Sequence, residues 1–314
     1  MSDIRFNTSN SNWLLAFSVK RPVVVVLILF ILACIIKFFD SFVFRLDELI
    51  GEAILTKLLG FILVAAYVWV CRRKLGEIGF HAQNLGTALL MAFVGFGNLY
   101  ALAFTSQLFL LKASGEEAAF VLSAVDPKTG MSGGLFFGIW LLFANLVNSA
   151  MEEGLFRGIM LRHFLVRFSK WGAIFLQAGF FALWHLSWPL RHLLDGQATP
   201  GEAAFEAFGL LLATLISGVV YGYFYYKTDS LWGPFVAHAM NNGIFNVLFI
   251  QTSKGIQSGL EFGAFTVIFL TGHILLIPMI ALVTHRLKTP NVKPWGEFSV
   301  GENLLNWKPN AFEK

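Results

Sequence analysis

Charge is what this sequence has least of. Only 13% of its 314 residues are Asp, Glu, Lys or Arg, about half the share of a soluble globular chain. With 56% hydrophobic residues and a mean hydropathy of +0.67, a soluble domain is excluded. The apolar residues come in long blocks without alternation, which excludes a barrel and points to membrane-spanning helices. Cysteine is nearly absent. Cys34 and Cys71 lie in or at the end of apolar blocks, so no disulfide framework is implied. There is no internal repeat and no low-complexity tract. No small-residue cleavage site follows the first apolar block, so no cleavable signal peptide is expected. HExxH is missing, and no Ser or Cys has a nucleophile signature. The net charge of +4 is spread over many loops, and no nucleic-acid partner is expected.

Eight blocks are long and apolar enough to read as spans: 22–39, 50–71, 86–111, 134–166, 171–188, 204–226, 231–250 and 262–285. The fold class is therefore all-α, a polytopic membrane protein of about eight helices around an intramembrane polar cavity. Residues 1–21 read as an N-terminal segment with a short interfacial helix, 22–286 as one membrane domain, and 287–314 as a polar tail. With the N-terminus in the cytoplasm, 16 of the 23 Lys and Arg residues fall on the cytoplasmic side. Both termini are thus expected inside, in a multi-pass protein of a bacterial or archaeal cell membrane. Lys37, Lys57 and Lys128 fall on or towards the far side. Gly154 and Gly158, and Gly218 and Gly222, form small-xxx-small pairs that let helices approach closely. Pro278 suggests a kink.

The fourth block holds charge where charge is expensive. Met151-Glu152-Glu153-Gly154-Leu155-Phe156-Arg157 interrupts apolar sequence on both sides, and ionisable groups inside a membrane mark a site by default. On an α-helix Glu153 and Arg157 share a face and can pair. Glu152 is turned about 100° away and is the carboxylate left free. Further polar groups interrupt other spans: His185 in the fifth, His238 and Asn242 in the seventh, with Asn246 one turn further along that face. At ~1.5 Å per residue from the turns near Ser169 and Asp229, Glu152 lies roughly 25 Å deep, His185 roughly 24 Å, Asn242 roughly 20 Å and His238 roughly 14 Å. These groups are expected to share a level. A carboxylate and an imidazole converging on water make a general base, while a second His and an Asn amide can donate to an oxyanion. The alternative is zinc held by Glu152, His185 and His238 with water as fourth ligand.

In order and in placement, Glu152-Glu153-xxx-Arg157, Phe181-xxx-His185 and His238-xxx-Asn242 resemble the core motifs of the type II CAAX prenyl endopeptidase and bacteriocin-processing family, the CPBP intramembrane proteases. The resemblance covers about 134–250. It implies that Glu152 with His185 activates water, that His238 with Asn242 forms the oxyanion hole, and that Glu153, Arg157 and Phe181 support them. It also implies a membrane-associated or prenylated peptide substrate; membrane lipid is the other expected partner, and the cavity is expected to be water-filled and open towards the cytoplasm. No cofactor is expected to be required, zinc being the alternative. The family includes immunity proteins and scaffolds, so a non-catalytic membrane protein is the competing reading. A small-solute transporter would show paired broken spans in an internal repeat, and none is found.

Overall fold

Each of the eight expected spans contains a helix in the computed structural model, which describes residues 12–126 and 128–297. In chain order the helices are α1 (Trp13–Lys20), α2 (Pro22–Phe44), α3 (Leu46–Ile50), α4 (Ile54–Val70), α5 (Leu85–Ala113), α6 (Leu135–Leu165), α7 (Lys170–Leu194), α8 (Pro200–Thr228), α9 (Trp232–Val247) and α10 (Gly263–Leu287). Among the described residues six are long and apolar enough to cross a membrane: α2, α5, α6, α7, α8 and α10. The other two segments are shorter, 17 residues in α4 and 16 in α9. Apolar side chains such as Ile28, Ile31 and Ile35 on α2 and Phe205 and Phe208 on α8 point outward. Outward apolar faces of this kind suit a multi-pass integral membrane protein, in which lipid is the solvent.

The chain is mostly rather than wholly helical. The seventh apolar block ends its helix at Val247, and Leu248–Thr252 continues as strand β4, which lies between β1 (Ala119–Leu122) and β5 (Gly255–Gln257) in an antiparallel sheet. A second pairing joins β2 (Ala124–Val125) to β3 (Ser132–Gly133). The aromatic and β-branched residues of 248–252 fit a pleated strand, and β1 supplies their backbone partners, Leu122 opposite Leu248 and Ala119 opposite Gln251. Both pieces lie at one end of the bundle. The same end carries Arg45, whose guanidinium joins Glu48 and Asp195 and ties α3 to the end of α7. That hydrogen bond from Arg45 holds the Asp195 carboxyl below the usual carboxylate range.

At the opposite end, α1 occupies the expected interfacial segment, capped by the Asn12 side chain, which accepts from Leu14 N at 2.9 Å. Residues 1–11 of that segment, and 298–314 of the expected tail, lie outside the described residues. The described part of the tail is tucked in. Trp295 is buried, stacks on His163 with ring centres 4.4 Å apart, and donates to Ser18 Oγ at 2.8 Å.

Three helices contain wide turns with π geometry: Phe39–Phe44 in α2, Ala92–Phe96 in α5 and Glu153–Leu161 in α6. α7 breaks at Leu186, between Lys170–His185 and Ser187–Leu194. Its first part packs closely on α8, where both glycines of the small-xxx-small pair are used. A Cβ on Gly218 would lie 3.1 Å from the Ala178 backbone, and one on Gly222 would lie 2.3 Å from Gln177 Nε2. The Gln177 amide cannot move aside freely, because it is buried and donates to Gly218 O at 2.7 Å and Ile174 O at 3.0 Å.

Gly222→Ala should therefore overpack the α7–α8 crossing and cost about 1–3 kcal/mol. Gly209→Ala, where nothing lies within 4 Å of the added carbon, should be neutral or slightly stabilising. Thermal unfolding of both variants in detergent checks this; equal melting temperatures would show that the crossing is looser than its geometry.

Candidate active site

The polar face of α6 begins at Asn145 and continues through Ser149 to Glu152, at helical spacing, with all three buried. Beyond Glu152 the helix widens, and Glu153, Arg157 and everything between them are buried in the π segment. Glu153 and Arg157 pair as the spacing predicts, with Nη1 3.2 Å from Oε1 and neither side chain exposed. Arg157 also lies flat against aromatic faces, its Cζ 4.1 Å from the Phe181 ring centre and 5.5 Å from that of Tyr221. A guanidinium out of water is stabilised by such faces as well as by its carboxylate.

Glu153 has a second partner that the sequence reading gave to Asn242. His238 Nδ1 lies 2.8 Å from Glu153 Oε1, and its Nε2 lies 3.5 Å from Glu152 Oε2. One imidazole thus stands between the two adjacent carboxylates. Because a carboxylate accepts, Nδ1 carries the proton of that bond. The His238 ring is stacked on Tyr221, centres 5.7 Å apart, and meets the edge of Phe181 at 5.9 Å.

Glu152 is fixed from the other side. Its Oε1 accepts from Trp184 Nε1 at 2.9 Å, while Oε2 has no hydrogen-bond donor among the described residues. His185 donates from Nδ1 to Phe181 O at 2.8 Å, which leaves Nε2 as its free nitrogen. It is close enough to Glu152 for the two charges to act on each other, and its ring meets Phe181 at 4.7 Å. Asn242 is one turn beyond His238 on the same face of α9. Its Oδ1 accepts from Asn241 Nδ2 at 3.1 Å, so its own amide N–H groups are free to point elsewhere. Asn246 accepts from Asn145 Nδ2 at 2.7 Å and donates to Val125 O at 2.9 Å, which joins α9, α6 and β2.

The expected cavity is tight. Glu152 and His238 are each only 4% exposed, whereas His185 and Asn242 are partly exposed and form the accessible side. Among the described residues no three His, Cys, Asp or Glu side chains are grouped to hold a metal ion. Glu152, His185 and His238, the set named for zinc, do not make such a group in this geometry.

Two members of the cluster were not foreseen from the sequence. Trp184 sits beside His185, and its signal was available, since a buried indole N–H requires an acceptor. Tyr221 offered no signal beyond a hydroxyl in an apolar span.

Glu153→Gln should leave Arg157 buried with no counter-charge and destabilise the fold by about 3–5 kcal/mol. Adding Arg157→Met should recover part of that loss. Melting temperatures of the single and double variants decide it; no recovery in the double variant would mean that His238, rather than Arg157, is what Glu153 holds.

No curated protein and no solved structure matches the chain. A family model does match, over residues 134–244, with the description type II CAAX prenyl endopeptidase Rce1-like. That interval starts at the foot of α6 and ends in α9, so it takes in Glu152, Glu153, Arg157, Phe181, His185, His238 and Asn242 together. Residues 134–244 are therefore similar to the Rce1-like family of type II CAAX prenyl endopeptidases, and that similarity takes in every motif residue of the site.

Proposed function

We propose that the chain is an eight-span intramembrane endopeptidase that hydrolyses a peptide bond of a membrane-associated or prenylated protein, using water activated by Glu152. The match of residues 134–244 to a family of endopeptidases supports a protease. The observation that carries the finer reading is the asymmetry of the Glu152 carboxylate. One oxygen is held by Trp184, and the other is unpartnered and faces His238. A base needs that combination of fixed orientation and one free lone-pair side.

In this reading water sits between Glu152 Oε2 and His185 Nε2. Glu152 takes its proton as the hydroxide oxygen bonds to the carbonyl carbon. The carbonyl π bond opens, and the oxyanion receives hydrogen bonds from the Asn242 amide and from His238 Nε2–H. Donation from Nε2 requires the imidazole to carry both protons, and Glu153, bonded to Nδ1, supplies the compensating charge. Collapse of the tetrahedral intermediate breaks the C–N bond, and the proton held by Glu152 passes to the leaving amine. The products are a carboxylic acid and an amine, which ionise to carboxylate and ammonium, and no electrons are transferred. Glu153 and Arg157 hold the imidazole, and Phe181 packs against both histidines and the guanidinium. α4 and α9, though short, complete the eight spans, with both termini on the cytoplasmic side.

Glu152→Gln should abolish cleavage of a farnesylated peptide that carries three residues beyond the modified cysteine, by about 10²-fold or more, with the melting temperature retained. Wild-type activity should persist after chelation. Loss on chelation with recovery on adding zinc alone would replace the water mechanism with a metal one. Normal cleavage by Glu152→Gln beside a folded, inactive Glu153→Gln would move the base to Glu153. For the topology, reporter fusions after residue 314 should read as cytoplasmic; a far-side signal would invert the arrangement.

A further inference from the structure

Lys37 is an ionisable residue in the apolar run of α2 that none of the steps above uses. It is 7% exposed. Its Nζ donates to Trp184 O at 2.6 Å and lies 4.2 Å from the centre of the same residue's indole ring. Among the described residues it has no carboxylate in an ion pair, unlike Lys57, which meets Glu52. A lysine in an apolar helix ordinarily extends its stem until the ammonium reaches water; this one ends on a buried carbonyl. Trp184 lies in the last turn before the break in α7, where carbonyls lose their helical donors. The other end of that tryptophan donates to Glu152 Oε1 at 2.9 Å. Trp184 is itself buried, and three helices therefore meet through one side chain: α2 by Lys37, α7 by Trp184 and α6 by Glu152. The Lys37 and Glu152 charges also act on each other, with Cys34, Asp40 and Lys128 as further groups in the field of the ammonium.

We propose that Lys37 is a positioning residue for the hydrolytic reaction. It holds Trp184 by carbonyl and ring face, so that the indole N–H fixes Glu152 Oε1 and keeps Oε2 turned to the water. This rests on Glu152 being the base. An unfixed carboxylate would still bind substrate but would present its oxygen less often at the reactive angle, so the effect belongs in kcat rather than KM.

The test is a double-mutant cycle on the full-length protein in proteoliposomes, with the farnesylated peptide as substrate. Lys37→Met removes the donor. Trp184→Phe keeps the carbonyl and removes the indole N–H. Each should lower kcat by about 10- to 100-fold with KM within about threefold and the melting temperature nearly unchanged. The double variant should be no worse than the poorer single variant, because both act through one contact to Glu152. Losses that multiply, or a Lys37→Met protein with kcat within about twofold of wild type, overturn the proposal. If Lys37→Met does not fold, Lys37→Gln is read in the same way, and failure of both to fold makes Lys37 a structural residue and also overturns it. A wild-type protein that does not cleave the peptide removes the catalytic reading itself, an outcome distinct from an active enzyme whose cycle is additive.

Discussion

Charge removed from water is the constraint on which the rest of this fold depends. Glu152, Glu153, Arg157 and His238 are all buried, in a bundle whose interior is mainly aliphatic and aromatic. Stranding one such ion costs several kcal/mol, and mutual attraction offsets that only with good geometry. The cluster obtains the geometry by converging from four helices, α6, α7, α8 and α9. Arg157 and His238 share Glu153 Oε1, Trp184 takes Glu152 Oε1, and Phe181 and Tyr221 cover the guanidinium. Convergence of that kind requires helix axes held close and in fixed register. Gly154 and Gly158 serve this on α6, where an added carbon would lie 3.1 Å from Val64 in one case and from Ile78 and Leu231 in the other. The α7–α8 crossing at Gly218 and Gly222 does the same for the helix that carries Trp184 and His185.

Two consecutive glutamates of α6 reach a single imidazole where the helix begins to widen. On a regular α-helix they would project about 100° apart, one turned away from whatever faced the other. From Glu153 onward the hydrogen bonding shifts towards i→i+5, which lowers the angle between successive residues. Glu152 and Glu153 themselves keep ordinary α dihedrals, and one imidazole meets both carboxylates because its two ring nitrogens face different ways. Nine residues is long for such a feature, which is usually a single turn and is often found at functional sites. The apolar packing of Leu155, Phe156, Ile159 and Met160, each fully buried, is what holds it open.

This is also where the sequence was least legible. Hydropathy located the six long apolar helices, because a span needs about 20 apolar residues. The Glu153–Arg157 pair was legible too, since residues four apart remain neighbours in either helix type. Glu152 was paired with His185 and His238 with Asn242, and the structure adds a contact of His238 with both carboxylates that spacing along the chain does not reveal. The depth arithmetic gave the shared level of these groups but not their spacing. It set Glu152 and His238 roughly 11 Å apart along the bundle at ~1.5 Å per residue, yet they lie 3.5 Å from each other. Tilt and wide turns make α6 advance less per residue than assumed. The strand at Leu248–Thr252 was hidden because an apolar run reads alike as the end of a helix or as a strand. Only its partner 119–122, distant in sequence, decides between them.

The two histidines illustrate how far the second hydrogen bond, rather than residue type, defines a site. Both are imidazoles in apolar spans, and the sequence distinguishes them only by position. In the structure each commits Nδ1, but to different partners: His185 to the Phe181 carbonyl, His238 to the Glu153 carboxylate. Either bond fixes the ring and leaves Nε2 as the working nitrogen. The consequences differ. A neutral carbonyl behind His185 orients the ring without adding charge, which suits an acceptor for a water proton. A carboxylate behind His238 brings a full negative charge that can balance a doubly protonated ring, which suits a donor to an oxyanion. Glu153 is therefore a bifunctional support, holding Arg157 by charge and His238 by charge and direction, from one oxygen. Its neighbour Glu152 keeps an oxygen free because Trp184 occupies the other, and the roles of the two adjacent carboxylates follow from what already holds each of them.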